Sequence, residues 1–347
     1  MYYNGGKMKT LVTGGLGFIG CNVVRRLIQD DDPVIVFDNL SRNGSQANLD
    51  WLKKQGDFAF VNGDVRNRND LKQVFSENGD IEVVIHLAAQ VAVTTSVVDP
   101  REDFETNALG TFNILEAIRG SKTDTILLNA STNKVYGKMD DVKITQRNGR
   151  YEYESIDGIA EHRSLDFHSP YGCSKGAADQ YVCDYARIYG IRTLNLRQSC
   201  IYGFRQFGVE DQGWVAWFTI ASVLNKKITI YGDGKQVRDV LFIDDLVDCY
   251  LSAIENIHIT SGKTYNIGGG PNNRMSLFEL LALLEEYSGK KIDYSFDDWR
   301  PGDQLVFVCD ISKAERDFDW KPKIGVREGV RKLYDWVENN KELFDKE

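Results

Sequence analysis

Thr13-Gly14-Gly15-Leu16-Gly17-Phe18-Ile19-Gly20 follows a short apolar run, Thr10-Leu11-Val12. It leads into CNVVRRLIQD (residues 21–30), whose apolar residues recur with a helical period. Gly14, Gly17 and Gly20 therefore form G-x-x-G-x-x-G at a strand-to-helix turn. Glycine there lets the backbone approach a pyrophosphate, whose charge sits at the helix N-terminus. A glycine triplet alone does not specify a ligand, so the context decides. A second strand, Val34-Ile35-Val36-Phe37, ends in Asp38. A carboxylate at that place hydrogen-bonds an adenosine ribose and repels a 2′-phosphate. The turn therefore reads as a site for NAD rather than NADP, with Arg42 as the one opposing feature.

Working outward, a third strand, Phe58-Ala59-Phe60-Val61, leads to Gly63-Asp64-Val65-Arg66. Asp64 reads equally as a contact to an adenine amino group or as an exposed loop carboxylate. Val83-Val84-Ile85-His86 is a continuous run, as in a parallel strand buried on both faces, and His86 reads as a core histidine. The small residues of Leu87-Ala88-Ala89-Gln90 would let backbone pack close to a nicotinamide ribose. Residues 98–119 are expected as one long helix with Phe104, Leu109, Phe112, Leu115 and Ile118 on its apolar face. Thr125–Ala130 is another buried strand, and Ser131-Thr132-Asn133-Lys134-Val135-Tyr136-Gly137 stands at its carboxyl end, the ligand side of a doubly wound sheet. Residues 138–168 read as a polar, irregular surface excursion.

The excursion ends at His168-Ser169-Pro170-Tyr171-Gly172-Cys173-Ser174-Lys175. Ser169 and Pro170 suit a cap and a first helical position, and Gly190 ends the helical pattern. Tyr171 and Lys175 then lie one turn apart on one face. A phenol titrates near ~10. A neighbouring ammonium favours the phenolate, so the pair could shuttle a proton for a sugar or alcohol hydroxyl. The plain alternative is two unrelated residues on a helix surface.

Thr193–Arg197 is a sixth strand. Residues 199–235 are rich in aromatics and glycines and include RQFGVEDQGW (205–214). Val240-Leu241-Phe242-Ile243 and the following helix read as a return to the main sheet. Amphipathic helices are expected near 276–288 and 325–340. The fold class is α/β: a doubly wound parallel sheet (Rossmann) with a smaller, interleaved C-terminal substrate domain. The expected division is 8–197 plus 236–258 for the cofactor domain, and 198–235 plus 259–347 for the substrate domain.

The 347 residues are 42% hydrophobic and 27% charged, with a net charge of −9. That acidity argues against nonspecific nucleic-acid binding. Six scattered cysteines without a CxxC pair suit reduced thiols in the cytoplasm, and four histidines without ligand spacing suggest no metal site. No run of about 18 apolar residues suggests a membrane span. The leader MYYNGGK lacks an apolar core and does not read as a signal peptide.

Together TGGLGFIG, Asp38, Asp64-Val65, HLAAQ, STNKVYG and YGCSK resemble the extended short-chain dehydrogenase/reductase family over nearly the whole chain. The resemblance implies NAD in the first lobe and a nucleotide-sugar under the second. It implies a catalytic set of Thr132, Tyr171 and Lys175. Tyr171 would be the acid/base, Lys175 would bind the nicotinamide ribose and lower the tyrosine pKa, and Thr132 would hydrogen-bond the reacting hydroxyl. It carries cofactor contacts to Gly14, Gly17, Phe18, Ile19, Asp38, Asn39, Ser41, Arg42, Asp64, Val65, Leu87, Ala88, Ala89, Gln90, Asn107 and Ser131, with Tyr171 and Lys175. It carries substrate contacts to Thr132, Asn133, Gln206, Gln212, Arg238 (in KQVRDVLFIDDL) and Arg300 (in RPGDQ). The two arginines would grip the diphosphate, which a planar guanidinium fork can bind bidentately.

Within the family, STNKVYG, LDFHSPYGCSKGAADQY, DYARIYG, RQF, DQGWV and GKQVRDVL resemble CDP-tyvelose (CDP-paratose) 2-epimerases. The implied reaction is redox-neutral: oxidation at C2 and re-reduction from the other face. Related 4,6-dehydratases carry Asp-Glu where this chain has Asn133-Lys134, so elimination of water would lose its general acid and base. Cys200 replaces an asparagine found in many relatives and reads as packing, since no neighbour in sequence marks a thiolate. The alternatives are a UDP-hexose 4-epimerase and, from another class, an NAD-binding regulator without chemistry. Helices near 98–119 and 171–189 are those that relatives use to pair, implying a homodimer or homotetramer.

Overall fold

The apolar runs become the middle of one sheet. The computed structural model describes residues 2–3, 6–121, 123–300 and 303–344. Its strands β1 (Thr10–Thr13), β2 (Val34–Asp38), β3 (Ala59–Asn62), β4 (Val83–His86), β5 (Ile126–Thr132), β6 (Thr193–Gln198) and β7 (Lys263–Ile267) pair in parallel in the order β3-β2-β1-β4-β5-β6-β7. The strand order reverses between β1 and β4, and that switch point opens a crevice beyond their carboxyl ends.

Alternate residues of these strands feed two separate cores. Val12, Val36, Ile85 and Leu128 join the core beneath α1 (Phe18–Gln29). Leu11, Ile35, Val84 and Leu127 join the core with Ile114, Leu115, Val182 and Tyr185. Those last four lie on α2 (Gly110–Gly120) and α3 (Ser169–Tyr189). Period-two alternation with both faces covered is why the runs read as unbroken apolar strings. β3, at the edge, is half-exposed instead.

The long helix expected over 98–119 is divided. Val93–Val98 ends where Asp99 caps Pro100–Phe104, its side chain accepting the Glu102 N–H at 2.9 Å. Glu105–Leu109 then makes a π turn that runs into α2, with the Thr111 hydroxyl donating to the Asn107 carbonyl at 2.6 Å. The wider turn rotates the helix face. Leu115 and Ile118 are buried as expected, but Phe104 is 56% exposed.

The excursion 138–168 is more ordered than expected. Ile144–Arg147 and Arg150–Tyr153 form a hairpin, turned at Asn148-Gly149 with both φ positive. Tyr153 and Ile159 pack into a third core with Val306–Cys309.

Two segments change place relative to the expected division. Val237–Phe242 does not return to the main sheet. It pairs with Cys200–Tyr202, Arg274–Ser276 and Val306–Phe307 in a smaller sheet. Lys263–Ile267, assigned to the substrate domain, is β7 of the main sheet, because its backbone pairs with β6. The substrate lobe also holds α4 (Trp214–Val223), and α5 (Ile243–Glu255) follows the misplaced strand. Next comes α6 (Leu277–Ser288), opened by a Ser276–Glu279 capping box, and then α7 (Val326–Glu338).

Candidate active site

The glycine turn is shaped by close approach. Gly14 has φ +66°, and a Cβ there would lie 2.6 Å from the Ala88 backbone nitrogen. Only glycine lets the Leu87–Ala89 segment rest against the turn. A Cβ on Gly20 would strike the Gly14 carbonyl and Gly15. Gly17 caps α1, and a Cβ on it would meet only the Gly14 carbonyl, at 3.3 Å. The N-terminus of α1 therefore faces a cleft of about 300 Å³ with room for a pyrophosphate.

Of the residues expected at the cofactor, all but one line this cleft. Asp38 accepts the Leu16 and Leu40 N–H groups at 3.0 and 2.8 Å, while burial pushes its carboxyl up. Asp64 pairs with Arg66 at 2.6 Å and accepts the Asn39 amide at 3.0 Å, contacts that hold its carboxyl below the usual range. The exception is Asn107, which stands behind the cleft wall. It accepts the Gln90 N–H and donates to the Gln90 carbonyl, both at 3.0 Å, and bonds the Ser174 hydroxyl at 3.1 Å. Its place is to hold the Leu87–Gln90 segment.

Thr132 ends β5, and Tyr171 and Lys175 stand one turn apart at the start of α3. Pro170 lies in that first turn, and the Ser169 hydroxyl accepts the Gly172 N–H at 3.2 Å. Burial pushes the Tyr171 phenol up to about 12, while a hydrogen bond from Thr132 and the charge of Arg42 pull it down. Burial lowers Lys175 to about 8, against the pull of Asp179 and Asp103. The Lys175 ammonium donates to the Ala130 carbonyl. Lys175, expected to lower Tyr171, is not among the groups acting on it in this geometry: the cation that lowers the phenol is Arg42, and burial outweighs it.

Behind the pair lies a buried network. Ser131, expected at the cofactor, lines the cleft and donates to Asp179 at 2.7 Å. Asp179 takes a two-pronged bond from Arg197, at 3.0 and 2.9 Å. Arg197 also donates to the Tyr136 hydroxyl at 3.1 Å, which donates to Asn266 of β7 at 2.7 Å. A buried ion pair is tolerated when its remaining sites are filled in this way.

The expected substrate residues divide into two groups. Gln206 and Gln212 line the cleft, and Thr132 and Asn133 are buried beside it. Arg238 and Arg300 lie outside the cleft. Arg238 donates to the Val237 carbonyl at 2.9 Å and stands 3.7 Å from Asp303. Arg300 pairs with Asp211 at 3.0 Å and lies 3.8 Å over the Tyr231 ring. Pro301 and Gly302 of its motif lie outside the described residues. Burial pushes the Cys200 thiol up.

Sequence reasoning missed Arg205. It lines the cleft and donates to the Asn48 side chain and the Ala47 carbonyl, both at 2.8 Å. Beside it, the Phe207 ring fills the space where Gly44 would carry a Cβ, and Arg42 donates to Gln212 at 2.7 Å. Residues 205–212 thus clasp the loop after β2. An arginine next to the already suspect Gln206 was the available signal. Among the described residues no three metal-ligating side chains cluster, and no helix is long and apolar enough to cross a membrane.

The sequence profile of the family described as GDP-mannose 4,6 dehydratase matches residues 11–333. CDP-paratose 2-epimerase of Salmonella typhi is 46% identical over 336 residues, covering 95% of this chain and 99% of its own. A putative UDP-glucose 4-epimerase of Methanocaldococcus jannaschii is 35% identical over 330 residues, covering 95% and 98%. The crystal structure of Thermus thermophilus UDP-glucose 4-epimerase with NAD superposes with a TM-score of 0.81 at 31% identity, covering 96% of this chain and 100% of the other.

Proposed function

The chain belongs to the extended short-chain dehydrogenase/reductase family, in the group described as GDP-mannose 4,6 dehydratase, and from that premise we propose that it inverts C2 of a CDP-linked sugar of the paratose/tyvelose type. It is an NAD-dependent nucleotide-sugar epimerase, an isomerase. The finer reading rests on one observation: the match to the 2-epimerase, 46% identical overall, extends over 336 residues and so spans both lobes.

NAD fits the residues present. Gly14 and Gly17 leave the space its pyrophosphate needs, and Asp38 stands where its ribose would lie. Held there by the glycine turn and Asp38, NAD would supply reversible hydride transfer at the sugar carbon. The chain supplies the proton chemistry. Thr132 orients the reacting hydroxyl toward Tyr171. Tyr171, protonated at neutral pH in the cleft as it stands, acts as base when nearby cations favour its phenolate, and then returns the proton. Lys175, lowered only to about 8, is still mostly cationic at pH 7. Gln206 and Gln212 contact the sugar from the substrate lobe, and Arg238 and Arg300 turn to the diphosphate.

A second reading, inversion at C4 of a UDP-hexose, is favoured by the 35% identical relative. Incubating the enzyme separately with CDP-paratose and UDP-glucose, and following both sugars by NMR, tests the two. Inversion at C2 of the first with the second unchanged is expected. Inversion at C4 alone would sink the C2 reading. A homodimer or homotetramer is proposed from the exposed Val97, Phe104, Tyr181 and Ile188, which lie on the helices of 93–120 and on α3. The six unpaired cysteines suit the cytoplasm.

A further inference from the structure

One half-buried cation beside the catalytic threonine has no charge partner among the described residues. Asn133–Tyr136 forms a single 3₁₀ turn directly after Thr132. Within it, Lys134 donates its backbone N–H to the Thr132 hydroxyl at 3.3 Å. Its carbonyl packs at the first turn of α3, 3.4 Å from where Gly172 would carry a Cβ. The residue is thus fixed to both the catalytic threonine and the helix of Tyr171. The charges that act on its ammonium are those of Arg238 and Asp303, with the Cys200 thiol after them in effect. Among the described residues it makes no ion pair and no side-chain hydrogen bond, and the one carboxylate nearby, Asp303, already faces Arg238. Burial and the charge of Arg238 lower the ammonium below its ordinary value.

Two cations, Lys134 and Arg238, act around one carboxylate, Asp303, an unbalanced arrangement that an anionic ligand would complete. We infer that Lys134 grips the phosphate next to the sugar and so presents C2, rather than C4, to Tyr171. The inference rests on the C2 reading above and adds its cause. C2 is bonded to the anomeric carbon that carries the diphosphate, whereas C4 lies across the ring. With a C2 hydroxyl between Thr132 and Tyr171, the sugar-proximal phosphate must lie close to Thr132. Lys134, two residues further on, is the cation at that place. With a C4 hydroxyl there, the phosphate would lie a ring away and Lys134 would face uncharged sugar. A phosphate held at this point also serves as the pivot about which a keto sugar turns over while C2 stays within reach of Tyr171.

The test uses the NAD-loaded enzyme, its Lys134→Met and Lys134→Arg variants, and two probe pairs, CDP with CMP and UDP with UMP. The wild-type chain should bind the diphosphate at least ~10-fold more tightly than the monophosphate. Lys134→Met should erase most of that ratio, leave monophosphate affinity and NAD content unchanged, and raise KM for the nucleotide-sugar. Lys134→Arg should keep the ratio, and thermal unfolding of both variants monitors the fold. An unchanged diphosphate-to-monophosphate ratio in Lys134→Met, or an equal loss for both probes, overturns the inference. A wild-type chain that inverts C4 sinks the C2 reading instead, and the phosphate grip is then judged by the ratio alone.

Discussion

The two walls of the cleft are built by different means. The cofactor wall is mostly backbone: the turn at Gly14–Gly20, the Leu87–Gln90 segment and the ends of β1, β2 and β4. Its side chains are engaged locally, as Asp38 is with Leu16 and Leu40, or Asn107 is with Gln90. The substrate wall is mostly side chains from distant segments, several of them incompletely paired. Among the described residues the Gln206 and Gln304 carboxamide oxygens are buried without a hydrogen-bond partner, and the half-buried Lys134 ammonium makes no ion pair. Backbone geometry suits a ligand that is always the same. Underused side chains suit a ligand that must be recognised and then allowed to turn.

Mutations on each wall can break or sharpen that contrast. The largest effect expected is on chemistry alone. Tyr171→Phe should lower turnover by on the order of 10³-fold, a typical contribution of a positioned acid/base, without changing the NAD content of the purified protein. Loss of bound NAD in that variant would mean that the two walls are not separable. Gly14→Ala should do the reverse. A Cβ at φ +66°, set against Ala88, should cost about 3 kcal/mol in urea unfolding and deplete NAD as well.

His86 tests the cofactor wall by pH. It is hydrogen-bonded to Thr13 at 2.7 Å and Thr111 at 3.0 Å, and burial depresses it to about 3. The unfolded chain, with an ordinary histidine near ~6.5, binds the extra proton first, so stability falls as pH drops from about 6.5 toward 3. About 2 kcal/mol should be lost by pH 5, and His86→Gln should lose correspondingly less over the same range. The smallest effect concerns the bond joining the walls. Arg42→Ala removes one hydrogen bond, worth about 1 kcal/mol, and should speed NAD release by about five-fold in stopped-flow fluorescence.

The same contrast explains what could be read from the chain. The glycine turn, strands β1 to β6 and the Tyr171–Lys175 spacing are local patterns, and each lies close to its expected place. Val237–Phe242 misled because a buried run followed by a helix looks the same in either sheet. Its partners, Cys200–Tyr202 and Arg274–Ser276, are fixed by long-range pairing. The π turn at Glu105–Leu109 leaves no mark in residue type, so the helix face was misjudged at Phe104. Arg205 gained its place through Asn48 and Trp51, which no local pattern connects to it.

The clasp of residues 205–212 on the loop after β2 has a kinetic meaning. Phe207 over Gly44, Arg205 on Asn48 and Arg42 on Gln212 tie together two segments between which a dinucleotide would have to pass. Its departure is then timed by the opening of the protein rather than by its own grip. A resident group of that kind is slow to exchange with the surrounding pool of oxidised and reduced dinucleotide. The fate of each reduced enzyme then depends on whether the keto sugar is reduced again before it escapes.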